Sequence, residues 1–195
     1  MLFRSIDLEI LHNYFVKRPW QRIFCSPRES ASSTGIFGFN DFKIILSPLI
    51  HFLQIPDTVT FAELRARSGI VLHVFATELN TNTYYDMSAE THPSMHVIEA
   101  LYRSCTLPGI FTPRFCTAEA TGQPLVFVDG GITSNYSMEY CLRVHGLMHV
   151  APTVLGILFN TRSECPCMDT PEEVSMMNIS AAIMHASINP VRYKI

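Results

Sequence analysis

Residues 70–77, Ile-Val-Leu-His-Val-Phe-Ala-Thr, form an almost unbroken apolar run of strand length, rich in β-branched side chains. A half-exposed strand alternates apolar and polar residues. A run without alternation predicts a central strand covered on both faces. Leu125–Val128 has the same character and runs straight into Asp129-Gly130-Gly131; Thr153–Phe159 is a third such stretch. Helical spacing fills the intervals. Asn40–Leu53 places Phe42, Ile45, Leu46, Leu49, Ile50 and Leu53 three and four apart, with Pro48 expected to divide it. Thr91–Leu107 carries Pro93 in its first turn, sets Val97, Ala100, Leu101 and Ser104 on one face, and is stopped by Pro108-Gly109. Glu172–Ser187 repeats the pattern with Val174, Met177, Ala181 and Met184. Strands alternating with helices predict an α/β layered fold.

Local signals refine this outline. Ile6–Phe24 reads as one or two short helices broken near Pro19, and the polar stretch Cys25–Ser33 reads as a loop. Thr60-Phe61-Ala62-Glu63 fits a capping box, in which Thr60 caps a short helix and Glu63 reaches back to it. Gly69 suits the left-handed residue that ends that helix.

Composition narrows the function classes. Apolar residues make up 48% of the 195-residue chain and charged residues 16%, which fits either a buried sheet or an exposed apolar face for lipid or a partner, the buried sheet being favoured. The formal net charge is −3 with no concentration of Lys and Arg, so nucleic acid is not an expected partner. No apolar run is long enough to span a bilayer; Val150–Phe159 is interrupted by Pro152 and Gly156. Met1–Leu11 mixes charged and apolar residues too quickly for a signal peptide. These features predict a cytoplasmic protein, at most peripheral on membranes. Cys25, Cys105, Cys116 and Cys141 are scattered, and Cys165-Pro166-Cys167 lacks zinc-knuckle spacing. His92 and His96 are four apart, but Pro93 keeps them from aligning on a helix. No cofactor and no metal are expected. No internal repeat is visible, and 1–195 is read as a single domain.

Three linked segments resemble the patatin-like phospholipase family. Thr60-Phe61-Ala62-Glu63-Leu64, Gly69 and the strand IVLHVFATELNT are similar to its "TF-x-E-L … tG … AT-x-L-x-T" segment. THPSMHVIEALYRSCTLPGIFTP (91–113) matches its helix and turn at Pro93, Met95, Ala100, Ser104, Pro108, Gly109, Phe111 and Pro113. FVDGGITSN resembles its "DGG" turn at Asp129, Gly130, Gly131 and Asn135. A lone Asp-Gly-Gly carries little weight, but three such segments in order and at the right spacing are specific. They cover roughly 58–137, and 138–195 is read as a closing strand and helix of the same partial domain.

The resemblance implies a central, mostly parallel sheet flanked by helices and a Ser-Asp dyad. In that dyad Asp129 is the general base, the serine sits in a Gly-x-Ser-x-Gly elbow, and a glycine-rich loop supplies oxyanion amides. The implied substrate is a phospholipid or other acyl-ester lipid at a membrane surface. No Gly-x-Ser-x-Gly occurs in the sequence. The expectation is therefore an N-terminally truncated domain that is inactive alone, or else a non-catalytic relative kept for lipid or partner binding. Loss of an inner strand would expose a sheet edge suited to homo- or hetero-association. Ser104 falls on a packing position of the motif, and Ser33 lacks the glycine flanks of an elbow, so neither is read as a replacement nucleophile. Phe111 is read as walling an acyl pocket or packing the core.

Overall fold

A computed structural model of the chain describes residues 8–20, 34–118, 121–134, 136–144 and 146. They belong to two compact units, the first ending at Asp129 and the second beginning at Gly130. The first unit contains α1 (Leu8–His12), a π-helical turn (Asn13–Lys17), β1 (Gly35–Phe37), α2 (Phe39–Phe52) and α3 (Phe61–Ser68). It continues with β2 (His73–Glu78), β3 (Thr83–Ser88), α4 (Val97–Ser104), β4 (Gly109–Phe111), β5 (Phe115–Thr117) and β6 (Pro124–Asp129). The second unit contributes a 3-10 turn (Gly130–Ile132) and α5 (Met138–Val144). The polar stretch at 25–33 and the expected strand and helix at 153–159 and 172–187 lie outside the described residues.

The α/β character is as expected, and β2 is an interior strand in a sheet of order β3-β2-β6-β5. The described strands form a parallel pair and a four-stranded antiparallel sheet. Parallel pairing occurs between β1 and β4, with Gly35 opposite Gly109, whereas every neighbour in the four-stranded sheet is antiparallel. For β2 and β3 the reason is chain length. Leu79–Asn82 is too short for the crossover that a parallel partner requires, so β3 folds straight back on β2. Asn82 takes the left-handed backbone, φ 53°, that this tight reversal uses. The strand also starts later than the apolar run. Gly69 ends α3 at φ 72°, and the Ile70 amide donates to Ser68 Oγ at 3.0 Å, which keeps the first residues of the run out of the ladder.

The capping box at α3 forms as read. The Glu63 amide donates to Thr60 Oγ1 at 3.2 Å, and the Thr60 amide donates to Glu63 Oε2 at 2.9 Å. Pro48, however, does not divide α2. Proline removes the amide that would have bonded to the Ile44 carbonyl. That oxygen instead accepts from Ser47 Oγ at 3.0 Å and from the Arg18 guanidinium at 2.8 Å. The helix expected from Thr91 begins only at Val97. Its first expected turn is taken up as a strap: the Phe61 and Ala62 amides at the start of α3 donate to the Met95 and Pro93 carbonyls, and the Val97 amide donates to Val59.

Helix α4 divides the core. Val97 and Ala100 face the sheet, packing with Val74, Ala76, Met87 and Phe127 and with Phe61 and Leu64 of α3. Ile98 and Tyr102 face α2 and pack with Phe42. The Tyr102 ring meets Phe39, Phe42 and Phe111 edge-on with centroids 5.2–5.9 Å apart. Its hydroxyl donates to the Thr112 carbonyl at 2.6 Å, and burial pushes its pKa up to about 12.

Candidate active site

Asp129 is the last residue of β6, directly opposite Ala76 of β2. Residues opposite one another in an antiparallel pair share a face of the sheet, so Asp129 lies on the α4-covered face with Ala76. Its backbone is held from two directions. The amide donates to the Thr106 carbonyl at 2.9 Å, and the carbonyl accepts from Thr77 Oγ1 at 3.0 Å. Both threonines are buried, and Thr106 is itself anchored by a 2.6 Å bond from its Oγ1 to the Tyr102 carbonyl. The residue thus bridges the interior strand and the turn that follows α4. Gly130 and Gly131 enter the 3-10 turn, where Gly130 is buried.

Cys105, at the C-cap of α4, lies close enough to Asp129 to feel its charge. Although Cys105 is exposed as a residue, desolvation and then the Asp129 carboxylate push its thiol up to about 11. A thiol so raised stays protonated at neutral pH and is a poor nucleophile. Sequence reasoning missed this neighbour. It treated Cys105 as a scattered apolar cysteine, although its place just after the helix, within the matched motif, was visible.

A second carboxylate was also missed. Glu78, at the end of β2, is 1% exposed. Oε1 accepts from the Asn80 and Val126 amides at 3.0 and 3.1 Å, and Oε2 accepts from the Thr81 amide and hydroxyl at 2.8 and 2.6 Å. Burial works to raise its pKa, but these donors outweigh burial and hold it at about 2. All four of its bonds serve the β2–β3 turn and β6, so Glu78 is a structural clasp. The signal was the Glu78-x-Asn80-Thr81 spacing at a strand end.

The other residues singled out in the sequence are dispersed. Ser104 is half-buried as the last residue of α4. Phe111 packs against Phe37, Phe42 and Tyr102, the core role of its two readings. The His92 ring nitrogens lie 2.9 Å from Thr91 Oγ1 and 3.2 Å from the Tyr85 hydroxyl, while His96 is the residue before α4. The two histidines share no helical face. Among the described residues no three His, Cys, Asp or Glu side chains gather as metal ligands, and no helix is long and apolar enough to cross a membrane. Ser33, Asn135, Cys165 and Cys167 lie outside the described residues.

The sequence profile of the family described as patatin-like phospholipase matches residues 3–142. The match takes in α1 and α2 as well as the three motif segments, and it ends within α5. No curated protein matches the chain. With the profile covering well over half of its length, the chain belongs to the patatin-like phospholipase family.

Proposed function

We propose that this chain carries the base half of a lipid acyl hydrolase site, with Asp129 as the residue that takes a proton from a serine hydroxyl attacking an acyl ester. Serine is a weak nucleophile until a neighbour accepts that proton, and backbone amides must meet the oxyanion that forms. Within these 195 residues no Gly-x-Ser-x-Gly elbow is present, and no glycine-rich loop precedes residue 60. Hydrolysis by the family mechanism then requires a serine from residues outside this sequence, and the 195-residue chain by itself is inactive. The substrate on this reading is a phospholipid or related acyl ester at a membrane surface. The observation that carries the reading is the clasp on the Asp129 backbone from Thr106 and Thr77, which supports a positioned base without any serine present.

The test uses the full chain with a short-chain nitrophenyl ester and a fluorophosphonate probe. Neither turnover nor labelling is expected. Hydrolysis that disappears in Asp129→Ala, or a labelled serine, would refute the missing nucleophile. The second reading is a non-catalytic lipid- or partner-binding relative. It is favoured by the raised Cys105 thiol, which offers no substitute nucleophile beside Asp129. The coding DNA upstream of Met1 discriminates the two: an in-frame elbow preceded by a strand-like apolar run supports the enzyme, and its absence supports the binder.

A further inference from the structure

An apolar cavity of about 310 Å3 lies under α2, walled by Leu46, Leu49 and Leu53 of that helix, Leu64 of α3, and Val97 and Leu101 of α4. Close-packed interiors leave few voids larger than a water molecule. This one is about twice the apolar cavity of about 150 Å3 that accepts a benzene ring, and it reaches the lower end of ligand-site volumes. Among the described residues, its polar lining is Ser68 and Asp57. The Ser68 hydroxyl is already used, donating to the Leu64 carbonyl at 2.7 Å and accepting from the Ile70 amide.

A second hollow of about 370 Å3 adjoins the first. Ile50, Ile55, Asp57 and Ile98 line both, and here the wall also carries Lys43, Ser47 and His51. Lys43 Nζ is 2.7 Å from the Asp57 carboxylate and 36% exposed. An ammonium has three donors, so it can keep Asp57 and still donate to a second anion. The apolar hollow shares a wall with one that carries a partly exposed cation, an arrangement that suits one chain with one negative head. Neither Asp129 nor Cys105 and Thr106 beside it lines either hollow. The cavity meets the first half of α4, and Asp129 sits past its far end.

We propose that this two-part hollow binds a free fatty acid of medium chain length, with its tail between α2, α3 and α4 and its carboxylate at Lys43 and His51. The site is separate from Asp129 and depends on neither the Ser-Asp dyad nor hydrolysis. The test is calorimetric titration of the full chain with dodecanoate below its micellar concentration, and with dodecyltrimethylammonium, which has the same tail and the opposite head. One dodecanoate per chain is expected, with the cationic analogue about tenfold weaker or more. Lys43→Met should weaken dodecanoate by about tenfold and leave dodecanol unchanged. Leu49→Phe and Leu53→Phe, which fill the cavity, should abolish binding of both, with folding checked by thermal melting. Absence of saturable binding, equal affinity for the two heads, or full affinity in a folded cavity-filled variant would overturn the proposal. If both filled variants fail to fold, the head-group contrast and Lys43→Met still decide it.

Discussion

Glu78→Gln is predicted to destabilise the fold strongly near neutral pH and much less in acid. The Glu78 carboxylate accepts four hydrogen bonds from Asn80, Thr81 and Val126. Glutamine keeps one acceptor oxygen and turns an NH2 group toward donors that need an acceptor. The folded carboxyl sits at about 2 against an ordinary 4.5, a difference equivalent to about 3 kcal/mol. The side chain is 1% exposed, and the glutamine amide oxygen can still accept from one pair of its donors. The acceptor that glutamine retains reduces the expected loss to about 2 kcal/mol. The sign follows from proton counting. Between about 2 and 4.5 the unfolded chain binds the proton that the fold excludes. The stabilisation is thus complete above 4.5 and disappears as pH falls through about 2. Urea denaturation of the wild type and Glu78→Gln, followed from neutral pH down to about pH 3, measures the difference directly. It should shrink to under half over that range. A difference that is the same at every pH, or below about 0.5 kcal/mol at pH 7, would show that the clasp does not depend on charge.

Three further outcomes are expected. Gly35→Ala should destabilise the chain by about 1–3 kcal/mol in chemical denaturation, because the added Cβ would lie 2.5 Å from the Phe111 carbonyl carbon and the Thr112 amide; a neutral result would mean that β1 and β4 do not approach so closely. Thr60→Ala should cost about 1 kcal/mol and raise amide exchange at Glu63, while unchanged exchange there would remove the cap. Alkylation of Cys105, followed by peptide mapping against pH, should have its midpoint near 11 in the native chain, and Asp129→Asn should lower that midpoint. An unshifted midpoint in the variant would separate the thiol from the aspartate.

What was legible in the sequence was what short-range chemistry decides. Thr60, Glu63 and Gly69 act within one short helix, so their pattern is the structure. The apolar run ending at Thr77 and the strand entering Asp129 needed only burial to be recognised. The misreadings share one cause, which is distant partners. The start of α4 moved to Val97 because α3, some thirty residues upstream, drew the Pro93 and Met95 carbonyls away from a helical turn. Pro48 was absorbed because Arg18 meets the carbonyl it leaves unbonded. Strands β1, β4 and β5 have three residues each, too few to carry a periodicity, and β3 mixes Thr, Tyr and Asp with little apolar signal. Asp129 could be identified as the candidate base from its motif. Its neighbour Cys105 could not, because nothing in the order of residues says that the end of α4 meets the end of β6.

The hold on Asp129 also bears on how such a site is put together. Thr106 and Thr77 grip the main chain of Asp129 on either side, the first through its carbonyl and the second through its hydroxyl, and both bonds are made to the peptide groups of Asp129. Where that peptide sits is settled when β2, β6 and α4 come together, with no contribution from a catalytic partner. If Asp129 is the base proposed above, a serine-bearing element would meet a finished socket, and its association would cost docking alone rather than docking plus refolding. On that proposal, co-expression with a serine-bearing piece would test for reconstitution, and substitutions at Thr77 or Thr106 should impair it without touching either reacting group.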